Sequence, residues 1–315
     1  MRHYRSLEDV HLSSSWVTIG TFDGVHLGHQ EIIRGLVQGA QKAGKTPVVI
    51  TFHPHPAVVL GDIQRPFYLT MPEKRAQLLG ELGVEVVITH PFNHSVSQLS
   101  PETFIARLDE HLHLEALWIG YDFALGKDRE GDPQVLEALG ETYGYQLHIT
   151  PPVEVEGHKV SSSKIRSLLR QGQVVQAAGL LGRPFSVQGE VVLGDQRGRS
   201  LGFPTSNLQI PEQMIDIQPG VYAGFARVEG KTWKAVTNVG FRPTFEGESA
   251  LLRMETHLLD FSGDLYQQTM ELSFHTKLRE ERKFERVEHL IAQIDRDIQE
   301  ARRLLTGKEP QHLGT

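Results

Sequence analysis

The chain has 315 residues, 39% of them hydrophobic and 23% charged, which is the balance of an ordinary folded domain protein and a length that favours two domains. A formal net charge of −7 argues against a broad electrostatic footprint for nucleic acid or an anionic membrane surface. The absence of cysteine excludes disulfides, thiolate metal sites and cysteine nucleophiles, and fits a reducing cytoplasm.

The first fourteen residues, MRHYRSLEDVHLSS, have no apolar signal core, and no run approaches the ~18 apolar residues of a membrane span, so a cytoplasmic location without a membrane partner is expected. Asn93-His94-Ser95 matches a glycosylation sequon and is discounted for the same reason. A β-branched run, Trp16–Ile19, reads as a strand. It leads into Gly20-Thr21-Phe22-Asp23-Gly24-Val25-His26-Leu27-Gly28-His29, and then into a helical pattern with Ile32, Ile33, Leu36, Val37 and Ala40 on one face. Strand, glycine turn and helix start together can present backbone N–H groups and a helix N-terminus to an anion. The His26 and His29 side chains fall on one side of the first turn. Three readings of the stretch stand at this point: a phosphate site, a zinc site, and a pair of structural histidines. The zinc reading lacks the i, i+4 histidine pair with a nearby glutamate. Asp23 serves the ligand, orients a histidine, or is simply a turn residue.

Further strands are expected at Pro47–Phe52, Glu85–His90, Ala116–Tyr121 and Gln146–Thr150, alternating with helices such as Leu27–Ala43, Pro101–His111 and Asp132–Tyr143. Ser100 is the N-cap expected before Pro101. Short apolar strands alternating with helices imply an α/β doubly wound, Rossmann-like parallel sheet. Its ligands lie at the carboxyl ends of strands, where both the glycine turn and His53-Pro54-His55-Pro56 fall. Short helices are expected at Lys164–Leu169 and Val174–Leu181.

Beyond Phe185 the pattern changes to strict alternation, as in Val221, Ala223, Phe225 and in Leu252, Met254, Thr256, Leu258. Period two with glycine-rich connections implies a small antiparallel β-barrel or sandwich. The boundary is placed near Gly182-Arg183-Pro184, giving domains of residues 1–182 and 183–315. Val287, Leu290, Ile291, Ile294, Ile298, Ala301 and Leu305 mark a final packing helix.

Three apparent motifs fail on context. Gly39–Thr46 has the letters of a P-loop but ends a helix and precedes a strand. Gly198–Gly202 resembles a nucleophile elbow without a following helix, and Ser161–Lys164 a serine–lysine motif without its companions. In the second half, Gly194–Asn207 is a basic glycine-rich loop: either a plain hairpin connection, or a phosphate cradle in which Thr205 and Asn207 offer hard oxygens to Mg²⁺. Glu255 shares a strand face with Arg253 and His257, opposite Leu252, Met254 and Leu258.

GTFDGVHLGH is similar to the signature of the nucleotidyltransferase superfamily. Together with FHPHP, Gly120-Tyr121-Asp122-Phe123 and Val160-Ser161-Ser162-Ser163-Lys164-Ile165-Arg166, it resembles the N-terminal module of bacterial bifunctional riboflavin kinase/FAD synthetases. GRPF, GRSLGFPTSN, PGVYAG, NVGFRPTF, METHLLDF and LREERKF extend the resemblance in order across residues 15–305. The resemblance implies phosphorylation of riboflavin by ATP to FMN, then adenylylation of FMN by a second ATP to FAD with release of pyrophosphate, both with Mg²⁺. It implies catalytic roles for His26 and His29 on ATP phosphates, and nucleotide contacts from Gly20, Phe22, Asp23, Gly28, Ser162, Ser163 and Arg166. His55, Pro56 and Asp122 would border the flavin. In the second half it implies nucleotide contacts from Gly198, Arg199, Thr205 and Asn207, with Thr205 and Asn207 also on Mg²⁺. Glu255 would be the base for the riboflavin hydroxyl, and Arg279 and Glu281 would lie near the flavin.

The chain departs from the usual pattern at Ser163 (for threonine), Ser206 (for alanine), Lys159 (for a planar basic group) and Phe123-Ala124-Leu125-Gly126 (for Phe-Arg-Phe-Gly). The last change keeps a kinase-only enzyme open, and a non-catalytic flavin-binding protein is the further alternative. The expected partners are small-molecule substrates alone, and the sequence sets no oligomeric state.

Overall fold

The computed structural model describes residues 1–61, 63, 66–193, 202–242 and 251–308. By internal contacts these form two compact units, one of residues 1–61 and 70–162, the other of residues 66–69 and 163–308.

The first unit runs β1 (Arg2–Tyr4), β2 (Ser15–Ile19), α1 (Leu27–Ala43), β3 (Thr46–His53), α2 (Pro56–Leu60), α3 (Pro72–Glu81), β4 (Val86–Pro91), α4 (His94–Ser97), α5 (Pro101–Leu112), β5 (Leu114–Gly120), α6 (Pro133–Tyr143), β6 (Gln146–Thr150) and a small hairpin, β7 (Glu154–Val155) and β8 (His158–Lys159). Six parallel strands make one sheet in the order β1-β4-β3-β2-β5-β6. Strand β3 shows why the runs are continuously apolar. Val48, Ile50 and Phe52 pack with Phe104, Ile105 and Leu108 of α5, while Val49 packs on the other face with Ile33, Leu36 and Val37 of α1 and Leu78 and Leu79 of α3. Both faces are covered, so alternation disappears.

The cap expected at Ser100 is in place, and Asp132, read from the sequence as the first residue of its helix, is the cap of α6. Ser100 accepts from the Thr103 amide at 3.1 Å, and Asp132 from the Gln134 and Val135 amides at 3.0 Å each. Residues 39–46 close α1 and enter β3, the reverse of a P-loop. The strand β1 and the helices α2, α3 and α4 are additions to the expected elements. Around β2 the strand order reverses, with β3 on one side and β5 on the other. The carboxyl ends of β2, β3 and β5 therefore open a crevice at a switch point.

The second unit contains α7 (Ser162–Arg170, from its second residue), α8 (Val174–Leu181), β9 (Phe185–Val192), β10 (Ser206–Gln209), β11 (Gly220–Val228), β12 (Lys231–Arg242), β13 (Leu251–Leu258), β14 (Thr269–Arg279) and α9 (Val287–Leu304). The strands close an antiparallel barrel in the order β10-β13-β12-β11-β14-β9. The units part ahead of the pattern change at residue 182, because α8 buries Val174, Ala177, Leu180 and Leu181 and packs on β9 and β14. Val187, Leu208, Met254, Met270, Leu272 and Phe274 are buried along alternating positions of the barrel strands. Val221, Ala223 and Phe225 of β11 cluster instead with Ala301 and Leu305 at the end of the last helix.

His275 of β14 stacks edge-on against Phe225, with ring centroids 4.9 Å apart, and its Nε2 is buried without a hydrogen bond among the described residues. Burial pushes this imidazole down from 6.5 to about 4, and lowers His3, His53, His90 and His148 in the same direction. The unfolded chain takes up protons below pH 6.5 that the folded protein refuses, so stability is full above that pH and falls as pH drops toward 4. Chemical denaturation at pH 7.5 and 5 is expected to show this loss, and His275→Phe to reduce it. An equal loss in the variant would show that His275 does not contribute.

Candidate active sites

The turn between β2 and α1 is conformationally costly. Phe22 and Val25 hold left-handed φ values of 44° and 43°, with Gly24 at 84° between them. Left-handed backbone is unusual for a bulky or β-branched residue and stores roughly 1–3 kcal/mol at each such position. Phe22 and Val25 are buried, so apolar packing holds both side chains.

The remaining restraint is polar. The fully buried Asp23 carboxylate accepts from the Thr70 amide (2.9 Å) and hydroxyl (3.1 Å), and the Gly24 amide donates to that hydroxyl at 3.0 Å. Arg75 of α3, also fully buried, lies 3.8 Å from Asp23 and donates to the carbonyls of Thr70 (3.0 Å) and Phe52 (3.2 Å) and to the Thr51 hydroxyl (2.9 Å). Thr51 in turn donates to the Thr21 carbonyl at 2.8 Å. Asp23 thus acts inside the turn, and its carboxylate does not face the crevice. The Ser162 hydroxyl donates to the Asp23 carbonyl at 2.9 Å, which ties that serine to the same turn.

His26 caps α1. Its Nδ1 accepts from the His29 amide at 3.3 Å, which leaves the ring proton of the neutral tautomer on Nε2. The two imidazoles stack with centroids 3.5 Å apart at 16°. His29 opens onto a cavity of about 630 Å³ lined also by Gly20, Phe22, Pro56 and Asp122. Phe52, Phe92, Phe104, Phe123 and Leu125 give it an apolar wall. His55 caps α2, accepting from the Ala57 amide at 3.0 Å, and so sets Pro56 in place. Asp122 pairs with Lys159 at 2.9 Å, and the same ammonium lies 4.5 Å from the Tyr121 ring centroid.

In the second unit Ser163 is exposed on the first turn of α7. Arg166 is buried, donates from Nε to the Phe67 carbonyl at 2.8 Å, and lies 3.8 Å from the Phe67 ring centroid. Register brings the other predicted residues together. Asn207 of β10 stands opposite Glu255 of β13, and Glu255 stands opposite Asn238 of β12. Directly opposed residues share a face. A cavity of about 300 Å³ is lined by Thr205, Asn238, Glu255, Arg279, Glu281 and Phe284, among others, and bounded by Leu290 and Ile294 of α9. A second cavity, of about 560 Å³, lies along Pro204, Thr205, Phe261 and Tyr266. Thr205 borders both. The Asn207 Oδ1 is a buried acceptor with no hydrogen bond among the described residues. Arg279 is held by Asp297 of α9, with Nε–O distances of 3.1 and 3.0 Å, and fixes the helix over the smaller cavity. Gly198 and Arg199 lie outside the described residues.

The comparisons with known proteins decide the family. A family model described as FAD synthetase matches residues 9–164, and one described as riboflavin kinase matches residues 181–305. A bifunctional riboflavin kinase/FMN adenylyltransferase of Listeria monocytogenes is 37% identical over 287 residues, 91% of each chain. The chain belongs to this bifunctional riboflavin kinase/FMN adenylyltransferase family. The protein of the same description from Pseudomonas fluorescens is 38% identical over 91% of this chain and 92% of that one. A solved structure described as a macrolide-efflux protein from Streptococcus pneumoniae shares the fold at TM-score 0.86 and 30% identity, covering 96% of this chain and 98% of that one. Among the described residues no helix is long and apolar enough to cross a membrane.

Sequence reasoning missed Thr70, Arg75, Asn238 and Asp297. The alternation of β12 could have flagged Asn238, a polar residue on the strand face that carries the apolar Val236. The other three act through tertiary pairing. Removing one partner of a buried charge pair costs about 3–5 kcal/mol. Arg75→Met is therefore expected to lower the first unit's unfolding free energy by about that amount. An unchanged denaturation midpoint would show that the Asp23 network does not hold the turn.

Proposed function

We propose that the two units carry consecutive steps, riboflavin phosphorylation and FMN adenylylation, divided in function near residue 182. The observation that carries the kinase reading is Thr205 bordering two cavities at once, with Glu255 on the wall of the smaller. Phosphoryl transfer needs a donor and an acceptor that meet at one place beside a proton acceptor. ATP fills the larger cavity and riboflavin the smaller, its ring against Phe284 and near Arg279 and Glu281. The Glu255 carboxylate accepts the proton of the 5′-hydroxyl as that oxygen bonds to the γ-phosphorus and ADP leaves.

The donor set fits Mg²⁺. Asn207 Oδ1 is an acceptor in want of a partner and Thr205 supplies a hydroxyl, both hard oxygens. When bound, Mg²⁺ neutralises charge on the transferring phosphates.

For adenylylation the supporting observation is the stacked His26–His29 pair on the helix start beside the larger apolar-walled crevice. A phosphate oxygen of FMN attacks the α-phosphorus of ATP, the bond to the β-phosphate oxygen breaks, and pyrophosphate departs. The nucleophile is already anionic, so the residues supply position and charge stabilisation. His29 donates to the phosphates and His26 fixes its ring. Gly20 and Gly28 allow close approach of the backbone and Phe22 lines the crevice, while Asp23 and Ser162 hold the turn. Ser163 and Arg166 are nucleotide-side residues in the same reading, and His55, Pro56 and Asp122 flavin-side ones.

His29→Ala is expected to cut FAD formation from added FMN by about 10²–10³-fold, the effect of losing one transition-state donor, with riboflavin phosphorylation unchanged. Glu255→Gln is expected to cut FMN formation by about 10²–10⁴-fold, with conversion of added FMN to FAD unchanged. Product chromatography reads both. Parallel loss of both activities in either folded variant would sink the division of labour.

A further inference from the structure

The crevice of the first unit must admit an acceptor that carries a phosphate, yet its wall is short of positive charge. Among the described residues that line it, Arg129 is the one fixed cation, on a wall that also carries Asp122 and Asp128. Lys159 neutralises Asp122 at 2.9 Å. A phosphate entering this crevice therefore depends on Arg129 for compensation away from the α1 terminus.

The loop that carries Arg129 is built to hold it. Leu125 and Gly131 exchange backbone hydrogen bonds of 3.0 and 2.9 Å, and the Lys127 amide donates to the Leu99 carbonyl at 2.9 Å. A Cβ on Gly126 would come within 2.8 Å of Pro101, and one on Gly131 within 2.7 Å of the Leu125 carbonyl, so the loop packs directly against the start of α5. Within this clamp Asp128 and Arg129 are both left-handed, at φ 50° and 62°. Two successive non-glycine residues in that region store strain that a glycine at 129 would relieve. One guanidinium nitrogen, Nη2, donates to the Asp122 carbonyl at 3.0 Å, which aims the group and leaves the rest of its fork of donors available. The same loop supplies Phe123, Ala124 and Leu125 to the apolar wall.

We infer that Arg129 binds the phosphate of the flavin acceptor and is the residue by which this site selects FMN over unphosphorylated riboflavin. With its flat ring against the apolar wall, the acceptor presents its phosphate to Arg129 inside the same cavity that His29 borders, where that phosphate also meets the α-phosphorus of ATP. The inference rests on the adenylyltransferase reading above.

Full-length Arg129→Gly and Arg129→Lys test it in FMN and ATP saturation series with FAD formation as the readout. For Arg129→Gly the KM for FMN is expected to rise at least about tenfold, the usual weight of a charged hydrogen bond, with the KM for ATP within about twofold of the parent. The thermal midpoint of the glycine variant is expected at or above the parent's, because the strain is gone, whereas a merely structural arginine would lower it. The lysine variant, keeping one point charge, is expected to fall between the two in KM for FMN. An unchanged KM for FMN, or a rise confined to ATP, overturns the inference. If the parent protein makes no FAD from FMN, the reading on which it rests fails instead.

Discussion

A buried charge pair anchors the first half of this protein. Asp23 and Arg75 are both removed from solvent, and between them they tie the β2–α1 turn to Thr70 and to the end of β3. Buried ion pairs add little net stability compared with apolar packing, so stability alone is a weak reason for one here. What this pair supplies is geometry. Phe22 and Val25 sit in backbone conformations they would abandon in a looser turn, and those conformations set the start of α1 and the stacked His26–His29 rings.

The second half depends on register. Asn207, Glu255 and Asn238 come from three strands and become neighbours because β10, β13 and β12 pair without slippage. A one-residue shift of β13 would send Glu255 to the barrel interior and Met254 outward. Buried Met254, Thr256 and Leu258 prevent it. The Arg279–Asp297 pair then fixes the terminal helix over the same face. One site is held by a buried polar knot and the other by a closed ladder.

Much of this was legible in the sequence because the signals were local. The apolar runs, the cap at Ser100, and the change to period two required only neighbouring residues. The strand β1 escaped because three residues, Arg-His-Tyr, carry no period, and α3 because its buried positions include Arg75, which reads as a surface residue. The partners of Asp23 were not legible, since Thr70 and Arg75 lie some fifty residues away. Arg129 escaped for a related reason. Its placement follows from a left-handed loop closed by Leu125 and Gly131, and no periodicity announces such a loop. The expected phosphate contacts at Gly198 and Arg199 fall outside the described residues.

The central claim is that one chain makes FMN and then consumes it. The most direct test is a product time course with riboflavin and Mg²⁺–ATP as the sole substrates, resolved by chromatography. FMN is expected to rise first and then decline as FAD accumulates after a lag. FMN as the lasting end product, with no FAD at any time, would contradict the account.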